Sequence, residues 1–121
     1  MKSAHTALID QERGLSLAGH DAQLYSTFLA AFPKDMTFAA MLCALDAGDV
    51  HDAFLYSHSL KGLCAQLGLC ALGEAASAVC ELLRSGDESN LPDARMRAQE
   101  VAILHEATCA AIRESGAVSF R

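Results

Sequence analysis

The sequence predicts an all-α fold, an antiparallel up-and-down four-helix bundle with a short extra N-terminal helix. Three observations carry this expectation. Hydrophobic residues make up 52% of the chain and only two are proline. Ala and Leu are abundant and β-branched clusters few, which favours helices over strands. Apolar residues also recur at three- and four-residue spacing between short polar breaks. At 121 residues the chain holds one hydrophobic core and is too short for two independent ones, so residues 1–121 are expected to form a single domain.

The elements follow in order. Residues 3–12 have the pattern of a turn or two of helix, which Gly14 is expected to interrupt. Asp21 is a good N-cap for a helix carrying Leu24, Phe28 and Ala31 to about Phe32, where Pro33 forces a break. The next helix carries Met36, Ala39, Ala40, Cys43 and Ala47, and Gly48-Asp49 supplies both its C-terminal glycine and the cap of its successor. A fourth segment runs from about Val50 to Leu67 and stops at Gly68. A fifth covers about Ala71 to Arg84, and the polar stretch Ser85-Gly86-Asp87-Glu88-Ser89-Asn90 reads as a loop. Pro92 stands where a first helical turn tolerates it, and the last helix runs from about 92 to 114 on Ala94, Ala98, Val101, Leu104, Thr108 and Ile112. Short connections favour antiparallel neighbours, hence the bundle. There is no internal repeat and no low-complexity segment.

Charge and cysteine usage narrow the function. A net charge of −6 lacks the basic face that phosphate contacts need, so no nucleic acid is expected as a partner. Cys43, Cys64, Cys70, Cys80 and Cys109 are odd in number and form no CxxC pair, so they read as reduced, small core residues rather than disulfides or a zinc ribbon. Asp10, Glu12 and Arg13 follow the start too closely for a secretory signal, and no run is read as approaching the roughly 20 apolar residues that cross a bilayer. The expected protein is cytoplasmic, with no membrane insertion, and monomeric. Met1 and the want of a trailing linker point to a free-standing chain.

The segment Val50 to Leu67 carries the chemistry. At about 100° per residue, Ala53, Tyr56, Leu60, Leu63, Cys64 and Leu67 share one sector, the expected buried stripe. His58 points away from it. On its side lie His51, Phe54 and Leu55 before it and Lys61, Gly62 and Ala65 after it. Glycine inside a helix costs about 1 kcal/mol relative to alanine, so Gly62 needs a reason, and steric access to His58 is one. A neutral imidazole is a competent nucleophile towards an activated phosphoryl group, and the Lys61 ammonium can meet the phosphoryl oxygens as charge develops. Phe54, Leu55 and Ala65 would then be a partner-docking surface.

The run His58-Ser59-Leu60-Lys61-Gly62-Leu63-Cys64-Ala65-Gln66-Leu67-Gly68 resembles the signature of histidine-containing phosphotransfer (HPt) domains, in which His is followed by Leu, Lys and Gly and then by Leu-Gly. Gly14-Leu15, Asp21, Leu24-Tyr25, Leu29, Phe32 and Leu45-Asp46-Ala47-Gly48-Asp49 are similar in kind and spacing to the segments before the family's histidine helix, so the likeness covers about 14–86. It implies a four-helix bundle that carries phosphate in a two-component phosphorelay, with His58 as the phospho-acceptor, Lys61 as the phosphate-stabilising cation and Gly62 as the clearance glycine. The partners it implies are receiver domains of response regulators and hybrid sensor histidine kinases. Those partners would supply the aspartate and the divalent metal, so no cofactor or metal of the chain's own is expected, and no kinase activity. In an antiparallel hairpin turning near Leu69, residues near Cys80, Glu81 and Arg84 come level with His58, which makes Arg84 a secondary candidate along with Gln66 and His51. Some relatives carry Gln near Cys80, and a thiol cannot do what an amide does.

Plainer readings exist for each residue. His58 alone could be an ordinary surface histidine, Lys61 a solvated charge, Gly62 a site of close helix packing; their mutual spacing favours the phosphotransfer reading. His51 is expected to border the docking surface, His105 to be hydrogen-bonded and partly buried, and His5 and His20 to be surface residues. Two alternatives belong to other classes: an HPt-like scaffold or inhibitor that carries no phosphate, and a metal-binding bundle using His51, His58 and carboxylates. Against the second, there is no Glu-x-x-His pair of the di-iron type, and Lys61 would repel a cation.

Overall fold

The computed structural model describes residues 7–115. Among them the helices are α1 (Gln11–Leu17), α2 (Ala22–Ala31), α3 (Thr37–Ala47), α4 (Val50–Leu67), α5 (Cys70–Leu83) and α6 (Leu91–Glu114), with 3-10 turns at Phe32–Lys34 and Glu88–Asn90. The turn at Pro33 joins α2 and α3 into one interrupted arm, and both halves pack against α4 and α6. That arm, α4, α5 and α6 are the four staves of an antiparallel bundle. The short extra helix α1 lies on α4.

Local chemistry sets the helix ends. Asp10, Asp21 and Asp49 each accept a hydrogen bond at 3.0 Å from the backbone N–H three residues on, capping α1, α2 and α4. Gly48 (φ +75) and Gly68 (φ +76) end α3 and α4 in the left-handed region. Cross-ties fix the staves. Arg95 donates through Nε and Nη2 to the Leu45 carbonyl at 3.0 and 2.7 Å, satisfying the end of α3 from α6. Tyr25 donates its hydroxyl to the Leu67 carbonyl at 2.8 Å, and the Asp10 N–H donates to the Gly68 carbonyl at 2.7 Å, which pins α1 and α2 to the end of α4.

The core is one contiguous cluster through all four staves, with Met41, Leu60, Leu69, Leu72, Val79, Val101 and Ile112 fully enclosed. The stripe expected on α6 is the one buried, with Leu104 half-buried at its edge. Several expectations are corrected. The first helix begins at Gln11, later than the 3–12 estimate, whose residues 3–6 lie outside the described residues. Gly14 lies inside that helix rather than interrupting it, and its missing side chain leaves room for the Tyr25 ring. On α2 the buried residues are Tyr25 and Leu29, with Phe32 beyond, and not Leu24, Phe28 and Ala31, which are exposed. Two apolar faces were available there, and the face bearing larger side chains faces the core. On α3, Met36, Cys43 and Ala47 are exposed while Met41, Ala44 and Leu45 are buried, so Cys43 is not a core residue. On α4, Tyr56 stays 38% exposed and Ser57 is enclosed, its hydroxyl satisfied by the Phe54 carbonyl at 2.9 Å. The stripe is therefore rotated towards α5. The stretch Ala22–Ala47, read as one helix, is long and apolar enough to cross a membrane by length and composition, with mean hydropathy 1.4, contrary to expectation. Pro33, Lys34 and Asp35 interrupt it, and Tyr25, Leu29, Phe32, Met41 and Leu45 belong to the bundle core.

Candidate functional site

Asp49 starts α4 and Gly68 ends it, which sets His58 midway along an 18-residue helix with its imidazole on the outer face. Gly62, one turn on, is exposed, and a Cβ added there would meet nothing within 4 Å. Close helix packing therefore does not explain this glycine. The clearance it leaves opens outward, beside His58. Lys61 is half-buried on the α5 side of the same face.

The hairpin brings α5 alongside. The Phe54 and His58 rings lie with centroids 5.9 Å apart, tilted by 49°, and the Arg84 guanidinium stands over the Phe54 ring at 5.5 Å. Arg84 also grips Glu81, Nη2 to Oε2 at 2.8 Å and Nε to Oε1 at 3.2 Å. The Arg84 hydrogen bonds and charge hold the Glu81 carboxyl below its usual range, and Lys61 adds a smaller push in the same direction. The site is thus an imidazole with two cations and one carboxylate around it. Cys80, which sequence spacing placed level with His58, is fully enclosed in the core and offers nothing to this surface. Glu81 was level with His58 by spacing but carried no assigned role; its separation of three from Arg84 on one helix was the available signal.

Other candidates fall as follows. His51 and Ala65 are exposed, Leu55 is exposed, and Phe54 is half-buried against the core while bridging to Arg84. Gln66 is exposed at the mouth of an apolar cavity of about 450 Å³ between α1, α2 and α4, lined by Leu17, Phe28, Phe32, Leu63 and Leu67. His105 is half-buried, stacked on Phe38 with centroids 4.4 Å apart, and the Cys109 sulfur lies 3.9 Å from its ring nitrogens. His20 is exposed and His5 lies outside the described residues. Among the described residues no three His, Cys, Asp or Glu side chains come together as metal donors.

The site is thus an exposed imidazole on a small helical bundle, with Lys61 one turn along the same helix and Arg84 reaching in from the end of α5 over the Phe54 ring. The chain belongs to the Hpt domain family: the family model, described as Hpt domain, matches residues 23–114. The match reaches through α6, farther than the resemblance of the motif, and begins after Gly14-Leu15 and Asp21. Histidine phosphotransfer in two-component signalling is the family's role, performed as phosphocarriers without kinase activity of their own. No curated protein and no solved structure matches the chain.

Proposed function

We propose that this protein is a phosphorelay intermediate in which His58 accepts a phosphoryl group from a receiver-domain aspartate and passes it to the aspartate of another receiver. The observation that carries the reading is the exposed His58 with Lys61 one turn on and open space over Gly62, a gap that no described residue fills. In the transfer the imidazole nitrogen lone pair attacks phosphorus in line, the N–P bond forms as the acyl O–P bond breaks, and the aspartate leaves as carboxylate. Lys61 meets the phosphoryl oxygens, with Arg84 as a second cation. The receiver brings the aspartate and its divalent metal, and the carrier brings a positioned nucleophile and a surface. Phe54, Leu55 and Ala65 border that surface, with His51 and Gln66 at its rim. We place the protein in the cytoplasm as a monomer whose partners are receiver domains of response regulators and hybrid kinases.

The test is transfer from a receiver phosphorylated by a small-molecule phosphodonor to wild type and to His58→Gln, read by intact mass and acid lability. The expected result is one acid-labile phosphate on wild type and none on the variant. A receiver panel that remains phosphorylated beside the wild-type protein would overturn the reading in favour of a scaffold.

A further inference from the structure

We propose that Glu81 regulates how firmly His58 keeps its phosphate, by holding Arg84 while the imidazole is bare and yielding it to the phosphoryl oxygens after transfer. The inference rests on the phosphocarrier reading of His58 and adds a positioning residue to it. Its basis is the continuous chain Glu81, Arg84, Phe54, His58: a two-point carboxylate–guanidinium pair at 2.8 and 3.2 Å, the guanidinium 5.5 Å from the Phe54 centroid, and that ring 5.9 Å from the imidazole.

Each link has a physical task. The Phe54 ring attracts the guanidinium and keeps it on the His58 side of α5 instead of free in solvent. The Glu81 carboxylate occupies the Nε–Nη2 edge of the guanidinium, the edge that offers two parallel N–H donors from Nε and Nη2, and Lys61 adds to the positive field at that carboxylate. The pair is more than half exposed, at 52% and 57%. Exposed pairs of this kind are weak and exchange partners readily. A phosphoryl group brings a charge of about −1.5 to −2 and three acceptor oxygens, so it competes with one carboxylate for a guanidinium held over the Phe54 ring that itself faces the imidazole.

The transfer balances without another reactant. The N–P bond on His58 replaces the O–P bond on the receiver aspartate, and the proton on the other ring nitrogen is released to solvent. Arg84 then exchanges Glu81 for phosphoryl oxygen. Glu81, left beside the dianion, opposes its retention and restores Arg84 when the group departs. With the carboxylate removed, phosphohistidine should be kept more firmly.

The experiment measures the phosphoryl-transfer equilibrium between a receiver and wild type, Glu81→Gln, Arg84→Ala and the double variant, with the Arg84 Nε–H NMR signal followed on phosphorylation. Glu81→Gln is expected to shift the equilibrium towards phospho-His58 by about two- to fivefold, the range of exposed charge pairs. Arg84→Ala should shift it the other way, and in the double variant the gain from Glu81→Gln should shrink. The Arg84 Nε–H signal should move on phosphorylation of wild type. An unchanged equilibrium in Glu81→Gln, or an Arg84 signal that stays in place, overturns the role of Glu81 while leaving phosphorylated His58 intact. A wild type that acquires no phosphate overturns both readings.

Discussion

Gly62 and Gly68 belong to the same helix, yet their missing side chains serve different ends. At Gly68 the left-handed backbone and the nearby Asp10 carbonyl both refuse a Cβ, so Gly68→Ala should destabilise the fold by about 1–3 kcal/mol in denaturant unfolding. At Gly62 no described residue lies within 4 Å of where the new methyl would stand. Gly62→Ala should therefore raise stability by up to about 1 kcal/mol while slowing phosphotransfer, and the two assays together separate a glycine kept for a partner from one kept for the fold. The cysteines divide in a similar way. Burial, with smaller pushes from Asp35 and Cys70, raises the Cys64 thiol to about 12, whereas Cys43 stands in solvent. Iodoacetamide at neutral pH should label Cys43 and leave Cys64 unmodified, as peptide mapping would show.

Among the elements, α4 depends on its ends. The Asp49 carboxylate accepts from the Asp52 N–H at 3.0 Å, and Asp49→Ala should cost about 1 kcal/mol in thermal or denaturant unfolding monitored by circular dichroism. Existence and ends of α2 to α6 were legible because caps, prolines and glycines act within a few residues of chain. The inward face was less legible. On α2 the residues Leu24, Phe28 and Ala31 satisfy helical periodicity as well as Tyr25, Leu29 and Phe32 do, and only the packing of α4 and α6 against the latter decides between them. The same ambiguity turned α4 slightly, burying Ser57 in place of Tyr56. A small hydroxyl fits where helices approach closely and a phenol does not.

Across the whole molecule, α6 is joined to the α2–α3 arm through His105, stacked on Phe38 and tilted 50° against Phe32. Burial lowers its pKa from the ordinary 6.5, and Asp35 opposes part of that shift. The unfolded chain thus takes up the proton first as the pH falls. Stability from neutral His105 is complete above about pH 6.5 and is lost as the pH drops through the lower folded value. Between pH 7.5 and 5.5 the wild type should lose more in Tm than His105→Leu does, measured by scanning calorimetry. Equal losses would assign the acid sensitivity to other groups.

The sequence by itself determined the helical class, the ends of α2 to α6, and the face of α4 on which His58, Lys61 and Gly62 stand together, because all of these depend on spacings within a turn or two. The HxLKG run and its downstream Leu-Gly are likewise contiguous, which is why the family was readable before the fold. Tertiary structure decided which apolar face of α2 and α3 is core, that Cys80 is enclosed, that the space over Gly62 is open, and that Phe54 links His58 to the Arg84–Glu81 pair. Those facts depend on side chains from different helices meeting at a common level, and helical periodicity along one segment carries no information about what its neighbours bring to that level.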